Sequence, residues 1–228
     1  MENWLDRSLK LFGEKGIQKL KNSSVLVFGA GGVGSYLIEA LARSGIGAIT
    51  VVDGDEYGVT NLNRQLYATH STLGRKKVDV CKERILDINP SCSVTALDKF
   101  VLDSDINGFD FTPYSFVVDA IDTVSAKVAI IVKAKKQGVP IISCMGTGNK
   151  KNPSLFKIED IYKTKVCPLS KVMRKLLKDN GVESLKVLYS EEEPLKSGDR
   201  TPASNSFTPA VAGLLLAGHI INYLVDYD

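Results

Sequence analysis

Apolar positions recur along this chain with two different periods, and the switches between them mark its elements. "LDRSLKLFGEKGIQKLKN" places Leu5, Leu9, Phe12, Ile17 and Leu20 at helical spacing around Gly13 and Gly16, which predicts one or two short helices. "SVLVFGAG" is a buried apolar strand running into glycines. "GSYLIEALARSGI" returns to helical spacing and ends at Gly45, and "AITVVD" is a second strand. "TLGRKKVDVCKERILDINP" predicts a helix from near Leu73 that stops before Pro90. A third strand, "CSVTALDKFV", leads into an irregular segment and then a fourth, "YSFVVDAID". The helix "SAKVAIIVKAKKQG" and the strand "VPIISCMG" follow. Strands that alternate with helices in this way predict an α/β fold, a Rossmann-like, doubly wound and mostly parallel sheet with helices on both faces.

The regularity fades after Gly148. "NKKNPSLFKIEDI" offers one further strand, "PLSKVMRKLLKDNG" a helix with a basic face, and "SLKVLYS" another strand. "EEEPLKSGDRTPASNS" is polar, carries Pro and Gly throughout, and reads as a mobile loop. The apolar tract "TPAVAGLLLAGHIINYLV" contains His219 and Asn222 and is short for a bilayer span, so a packed or dimer-interface helix is expected rather than a membrane segment. These patterns divide the chain into a helical segment 1–22, a nucleotide-binding core 23–148, and a C-terminal segment 149–228 that completes the same domain.

Composition narrows the classes. The chain has 228 residues, 44% hydrophobic and 24% charged, the balance of an ordinary globular domain. A net charge of +3 permits an anionic partner such as RNA without arguing for one. Cys81, Cys92, Cys144 and Cys167 form no C-x-x-C pair, which speaks against structural zinc of the four-cysteine type. The start "MENWLDRSLKLF" is charged and amphipathic, unlike a secretory signal, so a cytoplasmic protein with free thiols is expected.

The chemistry begins at "FGAGGVGS". Gly29, Gly31 and Gly34 stand in G-x-G-x-x-G spacing between a strand and a helix, the context in which that motif binds a nucleotide. The helix N-terminus offers unpaired N–H groups to phosphate, and Gly32 adds a further glycine where a ligand would approach closely. Asp53 ends the second strand, placed to accept hydrogen bonds from ribose hydroxyls. Asp55 could hold the turn, face a cation or only solvate the loop. A redox dinucleotide has no use for the run that follows. Arg64 supplies a rigid fork matched to phosphate, and Asn61 and Gln65 can orient oxygens without adding charge. Lys77, beside Arg75 and Lys76, is the preferred lysine to reach the same phosphates. In "VVDAIDT", Asp119 and Asp122 sit at the carboxyl end of a central strand; Asp122 is placed for a phosphate-bridging Mg2+, and Asp119 for local backbone bonds.

As a set, "GAGGVGS", "VVDGDEYGVTNLNRQ", "GRKKVD", "INP" and "VVDAIDT" resemble the ubiquitin-activating-enzyme superfamily in its ThiF/MoeB/HesA-like branch. The opening "DRSLKLFGEKGIQKLKN", the stretch "NPSLFKIEDIYKTKVCPLSKVMRKLLKDNGV" and the ending "ASNSFTPAVAGLLLAGHIINYL" are closest to the tRNA threonylcarbamoyladenosine dehydratase (TcdA or CsdL) family. That resemblance implies ATP and Mg2+ as cofactors, adenylation of a carboxylate, and cyclisation of the threonylcarbamoyl group on the adenosine at tRNA position 37. It implies an ATP loop at Gly29, Gly31 and Gly34, ribose at Asp53, phosphates at Asn61, Arg64 and Lys77, and the metal at Asp122. It also implies a homodimer in which Arg7 reaches the partner's ATP site. Lys171, Arg174, Lys175 and Lys178 recur at i, i+3, i+4, i+7 and could track tRNA phosphates from one helix face. Relatives that adenylate the C-terminus of a ubiquitin-like sulfur carrier supply the alternative, with a sulfur-transfer protein as partner. Cys167 would be the thiol for that chemistry, while Cys144, Cys81 and Cys92 read as packed.

Overall fold

The computed structural model describes residues 3–196 and 201–226, so residues 197–200 of the expected mobile loop lie outside the described residues. Among these described residues, seven strands form one sheet: β1 (Ser24–Phe28), β2 (Ala48–Val52), β3 (Ser93–Leu97), β4 (Phe116–Asp119), β5 (Ile141–Cys144), β6 (Phe156–Asp160) and β7 (Lys186–Ser190). Their order is β3-β2-β1-β4-β5-β7-β6. Every neighbouring pair is parallel except β6–β7, where β6 runs antiparallel along the edge. The central strands are apolar at consecutive positions because helices cover both of their faces. By contrast, β3 is half exposed along its length, as an outer strand should be.

Among the described residues, six α-helices pack on this sheet: α1 (Asp6–Asn22), α2 (Gly34–Arg43), α3 (Lys77–Ile88), α4 (Val124–Lys136), α5 (Pro168–Asp179) and α6 (Thr208–Asp226). One core joins Leu20, Leu37, Leu41, Ile85, Leu216 and Ile220 from α1, α2, α3 and α6. The other joins Phe28, Phe111, Ile130, Ile131, Met173 and Leu177 beneath α4 and α5. From β1 the chain winds outward through β2 to β3, then returns to place β4 on the other side of β1. The strand order therefore reverses between β1 and β4, the point at which open α/β sheets leave a ligand crevice at their carboxyl ends.

Two boundaries differ from the sequence pattern. The third helix starts at Lys77 rather than near Leu73, because Gly74 turns the chain with φ +77° and Thr72 Oγ1 accepts the Thr69 N–H at 2.8 Å. The fourth strand stops at Asp119, whose carboxylate takes the Ile121 N–H at 3.3 Å and draws the backbone out of the ladder. In α1, Gly13 at φ 68° and ψ 172° breaks the helix into two pieces. Both outer ends of that pair meet the turn after α2: a Cβ on Gly45 would lie 2.9 Å from Leu5 Cδ1, and one on Gly47 would lie 1.8 Å from the Lys21 carbonyl oxygen.

The apolar helix α6 is long and apolar enough to cross a membrane by length and composition, and 56% of its most apolar window is buried within the fold. It packs on α1 and α2 through Ala212, Gly213, Leu216, Ala217 and Ile220. At Gly213 a Cβ would sit 2.3 Å from the Val33 carbonyl oxygen. Gly213→Ala should therefore lower stability by about 1–3 kcal/mol, the usual range for overpacking. Gly108→Ala, where a Cβ meets nothing within 4 Å, should stay within about 0.5 kcal/mol of the parent. Urea midpoints of the two variants measure the difference.

Candidate active site

The glycine loop leaves β1 at Phe28 and is shaped by two contacts that exclude side chains. Gly29 adopts φ +95°, and a Cβ there would lie 2.7 Å from the Ala120 carbonyl oxygen. A Cβ on Gly34 would lie 1.9 Å from the Gly29 carbonyl oxygen, so the first turn of α2 closes directly on the loop. Gly31 is more open, with Gln65 Nε2 as its nearest neighbour at 3.7 Å. Gly32 is crowded by the protein itself. It faces Pro209 of α6, whose Cβ would be 3.3 Å from an added Cβ, and Arg64 at 3.5 Å.

Asp53 joins the second strand to this loop. Its Oδ2 accepts the Ala30 N–H at 2.7 Å and its Oδ1 accepts the Asp55 N–H at 2.9 Å. A carboxylate offers about four lone-pair sites, so these bonds leave acceptors for ribose hydroxyls. Asp55 holds a lysine: Lys77 Nζ donates to Asp55 Oδ2 at 2.7 Å and lies 4.0 Å from Asp53 Oδ1. Lys77 is 4% exposed, whereas Arg75 pairs with Glu83, and Lys76 with Glu56 and Asp98, at the surface. Of the three adjacent cations, burial against Asp53 and Asp55 singles out Lys77.

A tight turn after β2 presents the next group. Asn61 Oδ1 accepts the Gly58 N–H at 2.9 Å, and the Asn61 carbonyl accepts the Arg64 and Gln65 N–H groups. Arg64 is half-buried, and its Nη1 donates to the Thr60 carbonyl at 2.8 Å and to Asn63 Oδ1 at 2.9 Å. Both acceptors are neutral, so the guanidinium keeps its charge and further donors for an anion. Gln65 is buried beside Gly31, and its Oε1 has no hydrogen-bond partner among the described residues. A buried amide oxygen without a donor is costly unless a ligand or water supplies one. The chain returning toward α6 lies over this turn, where the Ser204 carbonyl accepts from Asn63 Nδ2 at 3.3 Å.

The two aspartates of the fourth strand separate. Asp119 is wholly buried and pairs with Lys127 of α4, Nζ to Oδ2 at 2.9 Å. Asp122 stands exposed on the turn beyond the carboxyl end of β4. Lys127 escaped the sequence reading. Its signal was a cation on an apolar helix face, between Ala126 and Ile130. Among the described residues no cluster of three or more His, Cys, Asp or Glu is arranged for a metal. A single carboxylate beside a phosphate loop is instead the donor set that Mg2+ takes with a nucleotide, since phosphate and water oxygens complete its shell.

Other expected residues lie away from this crevice. Arg7 is exposed on α1, two residues from Leu5, which packs at the carboxyl end of α2. The glycine loop is at the amino end of the same ten-residue helix, about 15 Å away at 1.5 Å per residue. On α5, Lys171, Lys175 and Lys178 are exposed, while Arg174 turns inward to donate to the Thr164 carbonyl at 3.0 Å and to Thr164 Oγ1 at 2.5 Å. Three lysines thus stand exposed on this face, with the Arg174 guanidinium half-buried beside them. His70 is exposed in the turn before α3. His219 is half-buried in α6, where burial and then Lys186 depress its pKa.

The sequence profile of the ThiF family matches residues 5–228. The chain belongs to the ThiF family. Within this family it is 40% identical to the tRNA threonylcarbamoyladenosine dehydratase of Bacillus subtilis, over 97% of this chain and 94% of that one. It is 42% identical to the Escherichia coli dehydratase over 76% of this chain and 65% of that protein. The crystal structure of the Escherichia coli enzyme, TcdA, in complex with ATP superposes with a TM-score of 0.90 at 34% identity, covering 96% of this chain and 92% of that one.

None of the four cysteines opens to this ThiF-type crevice; all are buried and unpaired. Burial pushes the Cys81 and Cys144 thiols up to about 12 and the Cys92 thiol to about 11, from an ordinary 9.0. Since the thiolate is the species that attacks a disulfide reagent, these three should resist labelling by an aromatic disulfide at pH 8 in the folded protein. In denaturant all four should react at once. Rapid labelling of native Cys144, located by peptide mass, would contradict this account.

Proposed function

We propose that this protein is an ATP-dependent tRNA threonylcarbamoyladenosine dehydratase. The observation that carries the reading is the likeness to the Bacillus subtilis dehydratase over nearly the whole of both chains. The crevice supports it, with two cations and an unpaired amide oxygen gathered around a glycine loop.

In this reading the backbone at Gly29, Gly31 and Gly34 receives the phosphates and Asp53 accepts from the ribose. Arg64 and Lys77 offset negative charge as the α-phosphate is attacked, with Asn61 and Gln65 orienting oxygens. Asp122 would be the residue to hold Mg2+, which would supply further charge neutralisation at the phosphates. The threonyl carboxylate oxygen bonds to the α-phosphorus, and the bond to pyrophosphate breaks. The carbamoyl group of the same side chain then attacks the acyl carbon and loses a proton to solvent, and AMP leaves with the former carboxylate oxygen. Ring closure is intramolecular, so orientation rather than a covalent enzyme intermediate lowers its barrier. Lys171, Lys175 and Lys178 offer a basic surface for the tRNA backbone.

The test incubates the protein with ATP, Mg2+ and tRNA bearing threonylcarbamoyladenosine, followed by nucleoside mass analysis. Loss of one water is expected from the parent. Arg64→Ala should reduce turnover by about a hundredfold or more, the effect of removing a charge-stabilising donor, with an unchanged circular dichroism spectrum. No mass change, together with adenylation of a diglycine-ended carrier protein, would replace the dehydratase reading with the sulfur-carrier one.

The position of Arg7, a helix length from its own glycine loop, supports a homodimer in which it serves the partner's site. Arg7→Ala and Arg64→Ala should then each be inactive alone, yet recover activity when mixed and refolded, because one site of the mixed dimer is intact. Failure to recover despite subunit exchange would place Arg7 outside the site.

A further inference from the structure

We propose that Lys127 is a positioning residue that fixes the metal-binding turn at Asp122, an inference that rests on the nucleotide reading above. Lys127 is fully buried on the face of α4 that meets the sheet. Its ammonium has three oxygen partners: Asp119 Oδ2 at 2.9 Å, the Cys144 carbonyl at 2.8 Å and the Ile121 carbonyl at 3.1 Å. Asp119 Oδ2 also accepts from Ser143 Oγ at 2.5 Å, and its Oδ1 accepts the Ile121 N–H at 3.3 Å. The ion pair thus holds both the N–H and the carbonyl of Ile121, the residue directly before Asp122.

Stability alone gives no reason for such a pair. A buried ion pair roughly breaks even against apolar residues of the same volume, because desolvation offsets its attraction. What distinguishes this pair is where its bonds go. From beneath, Lys127 ties the turn to the end of β5 through Cys144. From above, Gly29 presses on the Ala120 peptide, with Ala120 N–H bonded to the Phe28 carbonyl at 2.8 Å. The peptides before Asp122 are clamped between the glycine loop and a buried cation, while the Asp122 side chain itself stays exposed. A lone carboxylate ligand needs its backbone fixed in advance, since groups that orient a ligand weigh about 10–100-fold in metal affinity. Sealed from solvent, Lys127 acts through the backbone and the carboxylate that it holds.

Calorimetric titration of ATP, with Mg2+ and with EDTA, separates this role from a general one. Removing Lys127 alone would strand a buried carboxylate, so the informative variant is Lys127→Met with Asp119→Asn, which deletes both charges. It should bind metal-free ATP within about twofold of the parent and lose about tenfold or more of the gain that Mg2+ gives. Asp122→Ala should behave the same way, and Lys127→Arg should restore the parent pattern. An undiminished Mg2+ gain in the double variant would overturn the clamp, and so would an equal loss of metal-free and metal-dependent affinity. If Asp122→Ala kept the full Mg2+ gain, the metal assignment of the nucleotide site would fall with it.

Discussion

One steric constraint organises this molecule: the peptides at Gly29 and Ala120 approach so closely that no side chain fits between them. They belong to loops that leave β1 and β4 for opposite faces of the sheet, so their meeting point is where the strand order reverses. Every group in the crevice is referred to that contact. Asp53 reaches it through the Ala30 N–H, α2 through Gly34, and the Asp122 turn through Ala120 itself. On the outer side, Gly213 lets α6 press on the Val33 carbonyl, so the start of α2 is held from both directions.

On this frame the two cations are treated differently. Lys77 is buried against carboxylates, which keep the ammonium in place at the cost of part of its field. Arg64 is steadied by neutral oxygens and so keeps a whole charge toward the crevice. With Gln65 Oε1 unpaired beside Gly31, the crevice is incomplete on its own in both charge and hydrogen bonding. A polyphosphate satisfies the cations, and the hydroxyl and amine donors of a nucleoside can satisfy the amide.

The fold was largely legible because its signals are local. Apolar strands, glycine-ended helices and the G-x-G-x-x-G spacing each follow from a few consecutive residues. Legibility failed where the cause lies far away in sequence. Nothing local to Gly32 says that Pro209, from the last helix, packs against it. Arg174 sits at ideal spacing for a basic stripe, but Thr164 captures it. Lys127 and Asp119 are separated by a turn and a helix start, and nothing in the apolar pattern of α4 says that its one inward cation meets a strand-end carboxylate. Asp53, Arg64, Gln65 and Lys77 do come together beside the glycine loop, because the ends of β1 and β2 place them there, while Asp122 stands on the turn after β4 and Arg7 lies toward the other end of α2.

The burial of all four thiols bears on the kind of acyl transfer this site can support. Enzymes that pass an activated acyl group onward through a thioester of their own need a cysteine low in pKa and open to the adenylate. Here burial drives Cys144, next to the crevice at the end of β5, in the opposite direction, to about 12. The groups that face the crevice are cations, amides and carboxylates suited to making an adenylate rather than consuming one. Such a site is sufficient when the substrate brings its own nucleophile, as a threonylcarbamoyl side chain does. Selection among carboxylates then falls to the surfaces around the crevice, to which the segment after Gly148 contributes the stretch that returns past Asn63 into α6.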